Sequence, residues 1–226
     1  MKRVFVILAI SGICFYLGRN SAVYKHTLLK TEIHNYKSNV RYQYAVTYYP
    51  LYNKQNNIVM LGNSLVDYVE WGELLDRCDV ANRGIGGDVT EGYLNRIQTV
   101  INCKPKVCFI EGGINDLQFH VPISSTIKNL TQIIDTLIKN RIRPIMFSVL
   151  HTTKVFDIDG SLNKSVTMLN KQIKSICLLK GIEIIDMNPY LSENNFLLPQ
   201  YAQEDGLHLS PETYKIWKKE VLKRLD

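Results

Sequence analysis

The sequence predicts an α/β fold, a three-layer α/β/α sandwich around a five-stranded and mainly parallel sheet. Short apolar runs alternate with helical stretches from residue 57 to the end of the chain. The apolar runs lack the polar alternation of half-exposed strands, as is typical of parallel strands that are buried on both faces. The strand–helix unit recurs along this whole region, and such a repeat places helices on both faces of one sheet.

Four apolar runs predict strands over residues 58–61, 107–110, 145–150 and 182–185, and a weaker candidate covers residues 79–82. Helices are predicted over residues 65–75, 91–100, 124–140 and 162–180, with a last helix after Ser210. The Ser210-Pro211 pair is a typical helix start, because serine caps a helix and proline suits its first position.

Composition agrees with one globular domain. The chain has 226 residues, of which 46% are hydrophobic and 21% are charged. These values are ordinary for a domain with a sizeable core, and they exclude a mainly disordered chain, a collagen-like repeat and a polytopic membrane protein.

The net charge of +6 is confined to the start of the chain. Residues 1–60 hold eight Lys or Arg against one acid, whereas the remaining 166 residues carry 19 basic and 20 acidic side chains. A duplex-binding domain needs its basic surface on the folded body. We therefore expect no nucleic-acid partner.

Residues 1–22 have the pattern of an export signal. Lys2 and Arg3 precede an uncharged, largely apolar run over residues 4–18. This length suits a signal sequence and is short for a full bilayer span. We expect an uncleaved signal anchor that holds an exported domain at the membrane, with a cleaved signal peptide as the second choice and a buried element of the domain as the third.

Residues 23–56 form a basic connector that contains seven of the 13 tyrosines. Tyrosine rings among basic side chains suit a bilayer interface. A helix packed on the outside of the domain is an equally good interpretation. The expected organisation is thus a signal segment (1–22), a connector (23–56) and an α/β domain (57–226).

The five cysteines form no C-x-x-C pair, and no histidine lies at a zinc-ligand spacing from them. Cys108 lies in a predicted strand and Cys177 on the apolar face of a predicted helix, so both are expected in the core. The sequence implies no metal site.

Four polar segments lie where ligands bind in such folds, beyond the carboxyl ends of the strands. They are Gly62-Asn63-Ser64-Leu65, Gly84-Ile85-Gly86-Gly87-Asp88, Gly113-Ile114-Asn115-Asp116 and Asp205-Gly206-Leu207-His208. Each has a structural alternative when it is taken alone: an N-cap, a helix cap, a turn, or an exposed acid beside a packed histidine.

The four segments together suggest chemistry. A serine at a strand-to-helix turn can present its Oγ to a ligand. Clustered glycines bring backbone N–H groups close to an anion, and the Asn115 amide can point at a developing oxyanion. Asp205 and His208 are three residues apart, so they can hydrogen-bond and fix the imidazole tautomer. Asp67 lies close to Ser64 in sequence, but we expect its side chain to point to solvent from the predicted helix 65–75.

In this order and spacing, the segments resemble the four sequence blocks of the SGNH (GDSL-type) hydrolases, with Asn63 at the position that gives the GDSL name its Asp. The second block is most similar to the branch that resembles platelet-activating-factor acetylhydrolase. The resemblance covers about residues 57–226 and implies a flavodoxin-like SGNH hydrolase fold.

The resemblance also implies a role for each matching residue. Ser64 would be the nucleophile, His208 the general base and then acid, and Asp205 the partner that orients His208. The oxyanion hole would comprise the Ser64 N–H, the Gly87 N–H and the Asn115 side-chain amide. No cofactor is needed for acyl transfer through an acyl-serine intermediate.

We therefore expect a serine esterase that removes a small, acetyl-type acyl group from an oxygen ester, on a carbohydrate. The alternatives are a lysophospholipase or other lipid-ester hydrolase, and a non-catalytic, membrane-tethered glycan- or lipid-binding module. Intact segments argue against the last, since a binding module does not need the Asp205–His208 pair. Acyl transfer to a sugar instead of to water would use the same residues. The sequence indicates neither the natural ester nor the oligomeric state.

Overall fold

The computed structural model describes residues 35–52 and 54–225. The predicted signal segment over residues 1–22 and the first part of the connector lie outside the described residues. Among the helices that are described, none combines the length and the apolar character that crossing a bilayer requires.

Five strands form the central sheet: β1 (Ile58–Gly62), β2 (Val80–Gly84), β3 (Val107–Ile110), β4 (Arg143–Phe147) and β5 (Glu183–Ile185). Their order in the sheet is β2-β1-β3-β4-β5, and every neighbouring pair is parallel. This is the flavodoxin-like doubly wound order, whose ligand crevice lies between β1 and β3, where the strand order reverses. The predicted fold class is confirmed.

The helices before and between the strands are α1 (Val40–Tyr48), α2 (Ser64–Asp67), α3 (Trp71–Leu75), α4 (Thr90–Asn95), α5 (Gln98–Ile101), α6 (Ile114–Gln118), α7 (Ile123–Lys139) and α8 (Ser161–Lys180). After β5 come α9 (Asn188–Leu191), a short hairpin of β6 (Ser192–Glu193) and β7 (Phe196–Leu197), and α10 (Pro211–Leu222). Three 3₁₀ helices cover Tyr36–Ser38, Tyr49–Leu51 and Pro199–Tyr201.

Two predicted helices, over residues 65–75 and 91–100, are each divided into two shorter ones. The first division has a clear cause. The Asn82 side chain and the Trp71 indole both donate to the Val66 carbonyl, and Asn82 also donates to the carbonyls of Asp67 and Val69. These tertiary bonds take the carbonyls that a continuing helix would use, so a second helix begins at Trp71.

Successive residues of β1 point to opposite faces of the sheet, and both faces are buried. Val59 and Leu61 pack with helices α4, α5, α7 and α8, whereas Ile58 and Met60 pack with α2, α3 and α10. Trp71 and Trp217 are buried in the second cluster. Cys108 and Cys177 are buried in the first, as the sequence predicted.

The described part of the connector packs against the domain. Tyr36, Tyr42 and Tyr49 are buried in a small cluster with Ile85 and Val89, the two residues on either side of the glycine turn after β2. For residues 35–52 the packed-helix interpretation is therefore correct.

The segment between β5 and α10 carries several apolar side chains and packs on the domain. Leu197 is buried in the second core cluster, and Tyr201 packs against the same cluster. The Phe196 ring lies near Gly160 and under the Lys154 ammonium group. Leu197 and Tyr201 therefore contribute to the packing of the core.

Candidate active site

Ser64 begins α2 directly after β1 and is 7% exposed. Asn63 builds the turn: its side-chain oxygen accepts from the Leu65 amide at 2.8 Å, and its carbonyl accepts from the Val66 and Asp67 amides. None of these bonds uses the Ser64 N–H. The turn thus places Oγ and N–H of one residue at the carboxyl end of β1.

His208 contacts Ser64 although the two residues are 144 positions apart in the chain. His208 Nε2 lies 3.0 Å from Ser64 Oγ, and His208 Nδ1 lies 2.5 Å from Asp205 Oδ2. A carboxylate can only accept, so the bond to Asp205 assigns the proton to Nδ1 and leaves Nε2 as the acceptor for the Ser64 hydroxyl. The three predicted residues form one hydrogen-bonded chain.

Asp205 is held as an anion. Its partial burial favours a higher pKa, but hydrogen bonds from His208 and from the Leu207 and His208 amides outweigh this effect, so the pKa of Asp205 is lowered below its usual range. Both backbone bonds measure 2.9 Å and end on Oδ1, which leaves Oδ2 for the imidazole. The Asp205 carboxylate can therefore accept the proton on His208 Nδ1.

Gly87 lies in a tight turn after β2. The Asp88 amide donates to the Ile85 carbonyl, and Gly87 has a φ of +74°, which together define a type II turn over Ile85–Asp88. A Cβ on Gly87 would lie 3.0 Å from the side-chain nitrogen Nδ2 of Asn39. Both the backbone angle and the space favour glycine here.

Asn115 is tied to the same turn. It lies in α6 beyond β3, is 6% exposed, and donates through Nδ2 to the Asp88 carbonyl at 2.8 Å. The amide carries a second N–H on the same nitrogen. Because β1 lies between β2 and β3, Ser64, Gly87 and Asn115 all stand at the carboxyl ends of neighbouring strands.

The turn is anchored from below by a buried ion pair. Asp88 accepts from Arg96 Nε at 2.8 Å, and both side chains are at most 1% exposed. Burial raises the pKa of Asp88 to about 6 against the opposing effect of Arg96, so the carboxyl is ionised at neutral pH. The position of Asp88 in the sequence suggested that it caps the next helix. Its carboxylate pairs with Arg96 instead, and Val89 stands at the N-cap.

Asp116 joins the second and third segments. It accepts from the Thr90 amide at 3.0 Å and from the Thr90 and Thr126 hydroxyls, and it is 1% exposed. Burial raises the pKa of Asp116, and these three donors oppose that rise. Asp116 thus holds the start of α4 against α6 and α7.

The Asn63 side-chain amide donates a hydrogen bond to the buried acid Glu111. Asn63 Nδ2 donates to Glu111 Oε1 at 3.4 Å, and the Glu111 side chain lies at the end of β3 with an exposure of 3%. Burial raises the pKa of Glu111 to about 7. An aspartate at position 63 would place two carboxyls side by side, so asparagine suits a chain that has Glu111.

Sequence reasoning missed two residues of the site and misplaced a third. The Tyr68 ring centroid lies 5.3 Å from that of His208, and Tyr68 is 66% exposed. Its spacing of four from Ser64 was the available signal, since such residues share a helix face. The Asp67 side chain is only 7% exposed and pairs with Arg41, so the expectation that it points to solvent is wrong. Glu111 followed a predicted strand and gave no further signal.

Comparison with known proteins identifies the family. The sequence pattern of the GDSL-like Lipase/Acylhydrolase family matches residues 60–216. The chain therefore belongs to this family of ester hydrolases, as its four segments predicted.

Two curated relatives show different coverage. Platelet-activating factor acetylhydrolase IB subunit alpha2 of Rattus norvegicus is 24% identical over 169 residues, which is 72% of each chain. The N-acylneuraminate cytidylyltransferase of Streptococcus agalactiae serotype III (strain NEM316) is 21% identical over 75% of this chain, but the match spans only 38% of its own length.

Solved structures share the fold. A GDSL-like lipase from Bacteroides thetaiotaomicron VPI-5482 superposes with a TM-score of 0.71 at 22% identity, covering 81% of this chain and 96% of its own. The acetyl xylan esterase AlAXEase has a TM-score of 0.65 at 16% identity, covering 75% of this chain and 99% of its own.

Glu111→Gln should remove a pH-dependent loss of stability. With a pKa near 7 in the folded state and near 4.5 when unfolded, Glu111 binds more protons in the folded state between these values. The contribution of Glu111 to stability therefore falls as pH rises through this window. The Tm of Glu111→Gln, relative to wild type, should increase from pH 5 to pH 8 in thermal-shift measurements. Glu193→Gln, at an exposed site, is the control; parallel Tm curves for Glu111→Gln and wild type would contradict the assignment.

Proposed function

We propose that the protein is a serine esterase in which Ser64 is the nucleophile, His208 the general base and acid, and Asp205 the residue that orients His208. The observation that carries this proposal is the continuous hydrogen-bonded chain from Asp205 Oδ2 through both imidazole nitrogens to Ser64 Oγ. A binding module would have no use for this chain, so the geometry favours an enzyme.

The reaction proceeds in two acyl transfers. Ser64 Oγ bonds to the ester carbonyl carbon while His208 Nε2 takes its proton, and the carbonyl oxygen becomes an oxyanion. The oxyanion collapses, the bond to the alcohol oxygen breaks, and His208 gives its proton to that oxygen. Water then attacks the acyl-Ser64 ester with His208 again as base. Release of the carboxylic acid restores the Ser64 hydroxyl.

The oxyanion would be bound by three donors: the Ser64 N–H, the Gly87 N–H and an N–H of the Asn115 amide. The bond from Asn115 to Asp88 supports this role, because it fixes the amide and occupies only one of its two hydrogens. A preorganised donor of this kind contributes about 3 kcal/mol to the transition state.

The substrate that fits best is a small, acetyl-type oxygen ester on a carbohydrate. The side chains of His208 and Asp205 are 23% and 47% exposed, so the proposed base and its partner lie at the protein surface. Leu197 and Tyr201 pack into the core and do not wall a long acyl chain. The names of two similar proteins, an acetyl xylan esterase and an acetylhydrolase, also support the choice of an acetyl group.

We also propose that residues 1–22 export the domain and hold it at a membrane. The apolar run over residues 4–18 and the concentration of positive charge in residues 1–60 support this proposal. A cleaved signal peptide is the alternative that the same residues allow.

Ser64→Ala should abolish both esterase activity and labelling by a fluorophosphonate, since the probe forms its bond with the Ser64 oxygen. Active-site peptide mass spectrometry checks the labelled residue. Asn115→Ala should lower kcat by about a hundredfold or more through the loss of one oxyanion donor. Ser175→Ala removes an exposed hydroxyl in the last part of α8, outside the site, and is the control. Labelling that persists in Ser64→Ala would overturn the mechanism.

Activity should fall as the acyl chain grows, because a surface site buries few methylenes, each worth about 0.8 kcal/mol when buried. We expect kcat/KM to decrease from p-nitrophenyl acetate to the octanoate, and an O-acetylated sugar to be hydrolysed faster than a lysophospholipid. A steady rise in kcat/KM up to eight carbons would favour the lipid-ester alternative.

Full-length protein should sediment with membranes, whereas a chain of residues 23–226 should stay in the supernatant. Fractionation with immunoblotting measures this difference, and N-terminal sequencing of the mature protein separates an anchor from a cleaved signal. Equal solubility of the two uncleaved forms would contradict the anchor.

A further inference from the structure

The connector segment Asn35–Tyr52 contacts the turn that carries Gly87. Its tyrosines pack on Ile85 and Val89, and Tyr49 Oη donates to the Gly84 carbonyl at 3.0 Å. Asn39, at the N-cap of α1, donates through Nδ2 to the Gly86 carbonyl at 2.7 Å. This segment lies before the family-matched residues 60–216, yet it reaches the proposed oxyanion hole.

The bond from Asn39 acts on one particular peptide group. The Gly86 carbonyl and the Gly87 N–H belong to the same planar trans peptide, so they point in opposite directions. In a β-turn this is the central peptide, and type I and type II turns differ by a flip of that group. The orientation of the Gly87 N–H is therefore set by whatever holds the Gly86 carbonyl.

Two further contacts secure the other side of Gly86. Its N–H donates to Asp67 Oδ2 at 2.9 Å, and Arg41 holds the Asp67 carboxylate through Nε at 3.1 Å and Nη2 at 2.5 Å. Asp67 is three residues after Ser64, on the same short helix. The connector thus ties the glycine turn to the helix of the proposed nucleophile.

We propose that Asn39 is a positioning residue for catalysis: it holds the Gly86–Gly87 peptide in the type II orientation that directs the Gly87 N–H at the oxyanion. Arg41 supports it through Asp67. The inference rests on the proposed function, because it assigns a purpose to the Gly87 N–H. It also adds Asn39, which lies before the family-matched residues, to the side chains that position the site.

One side chain performs two tasks at once. Asn39 Oδ1 caps α1 by accepting from the Arg41 amide at 2.9 Å, while Nδ2 holds Gly86. Aspartate is an equally good N-cap but has no N–H to donate. Asn39→Asp therefore keeps the cap, removes the bond to Gly86, and places an anion against its carbonyl oxygen.

The chain offers a matched control. Asn35 is also an N-cap asparagine of the same segment; its Oδ1 accepts from the Lys37 amide, and its side chain is exposed. Asn35→Asp makes the same chemical change without touching the turn. Full-length wild type, Asn39→Asp and Asn35→Asp are compared with p-nitrophenyl acetate, with rates normalised to the sites titrated by a fluorophosphonate.

Asn39→Asp should lower kcat about tenfold with KM changed by less than about twofold, since the lost alignment affects the oxyanion and not the bound ester. The rate of phosphonylation of Ser64 should fall in parallel, because the phosphoryl oxygen occupies the same hole. Asn35→Asp should match wild type in both rates. A merely structural role would lower Tm and leave both normalised rates unchanged.

Arg41→Gln provides a second variant in case Asn39→Asp fails to fold, because Arg41 is exposed and its loss only loosens Asp67. It should lower kcat about threefold with KM unchanged, a smaller effect than the loss of a direct contact. An active wild type with unchanged kcat in the folded variant would overturn this inference alone. A wild type without esterase activity would instead overturn the proposed function.

Discussion

The buried pair of Asp88 and Arg96 is the interaction on which the site depends. Arg96 donates to the Asp88 carboxylate and also to the carbonyls of Arg83 and Gly62. Arg83 is the last residue but one of β2, and Gly62 is the last residue of β1. One guanidinium thus joins the ends of β1 and β2 to the glycine turn. Removing one partner of such a pair leaves a buried charge and costs about 3–5 kcal/mol. The pair fixes the turn before any substrate arrives.

From that fixed turn, contacts lead outward to each proposed catalytic group. The Asp88 carbonyl holds the Asn115 amide, and the Gly86 N–H reaches the helix of Ser64 through Asp67. The end of β2 packs closely against α2: a Cβ on Gly84 would lie 2.2 Å from the Asp67 backbone nitrogen. The donors and the nucleophile are therefore parts of one rigid unit, which is what electrostatic stabilisation of an oxyanion requires.

The base approaches this unit from a different part of the chain and is held differently. His208 and Asp205 lie in a turn at the surface, where two backbone amides and the imidazole share the carboxylate. The Thr153 amide bonds to the Gly206 carbonyl, so the loop after β4 supports this turn. A rigid, buried anion site beside a more exposed base suits an enzyme whose substrate arrives directly from solvent.

The sequence by itself determined the sheet, its helices and the residues that meet at its carboxyl edge. Four of the five strands contain the apolar run that is typical of buried parallel strands, whereas β2 has only a weak pattern. Clustered glycines such as Gly87 mark a tight turn in the sequence. Only the tertiary structure decided the rest. Asn82 ended α2 early, the Gly86 amide and Arg41 hold the Asp67 carboxylate, and Asn39 joined the glycine turn from 47 residues away. These bonds link groups that are distant along the chain, so no local pattern can encode them.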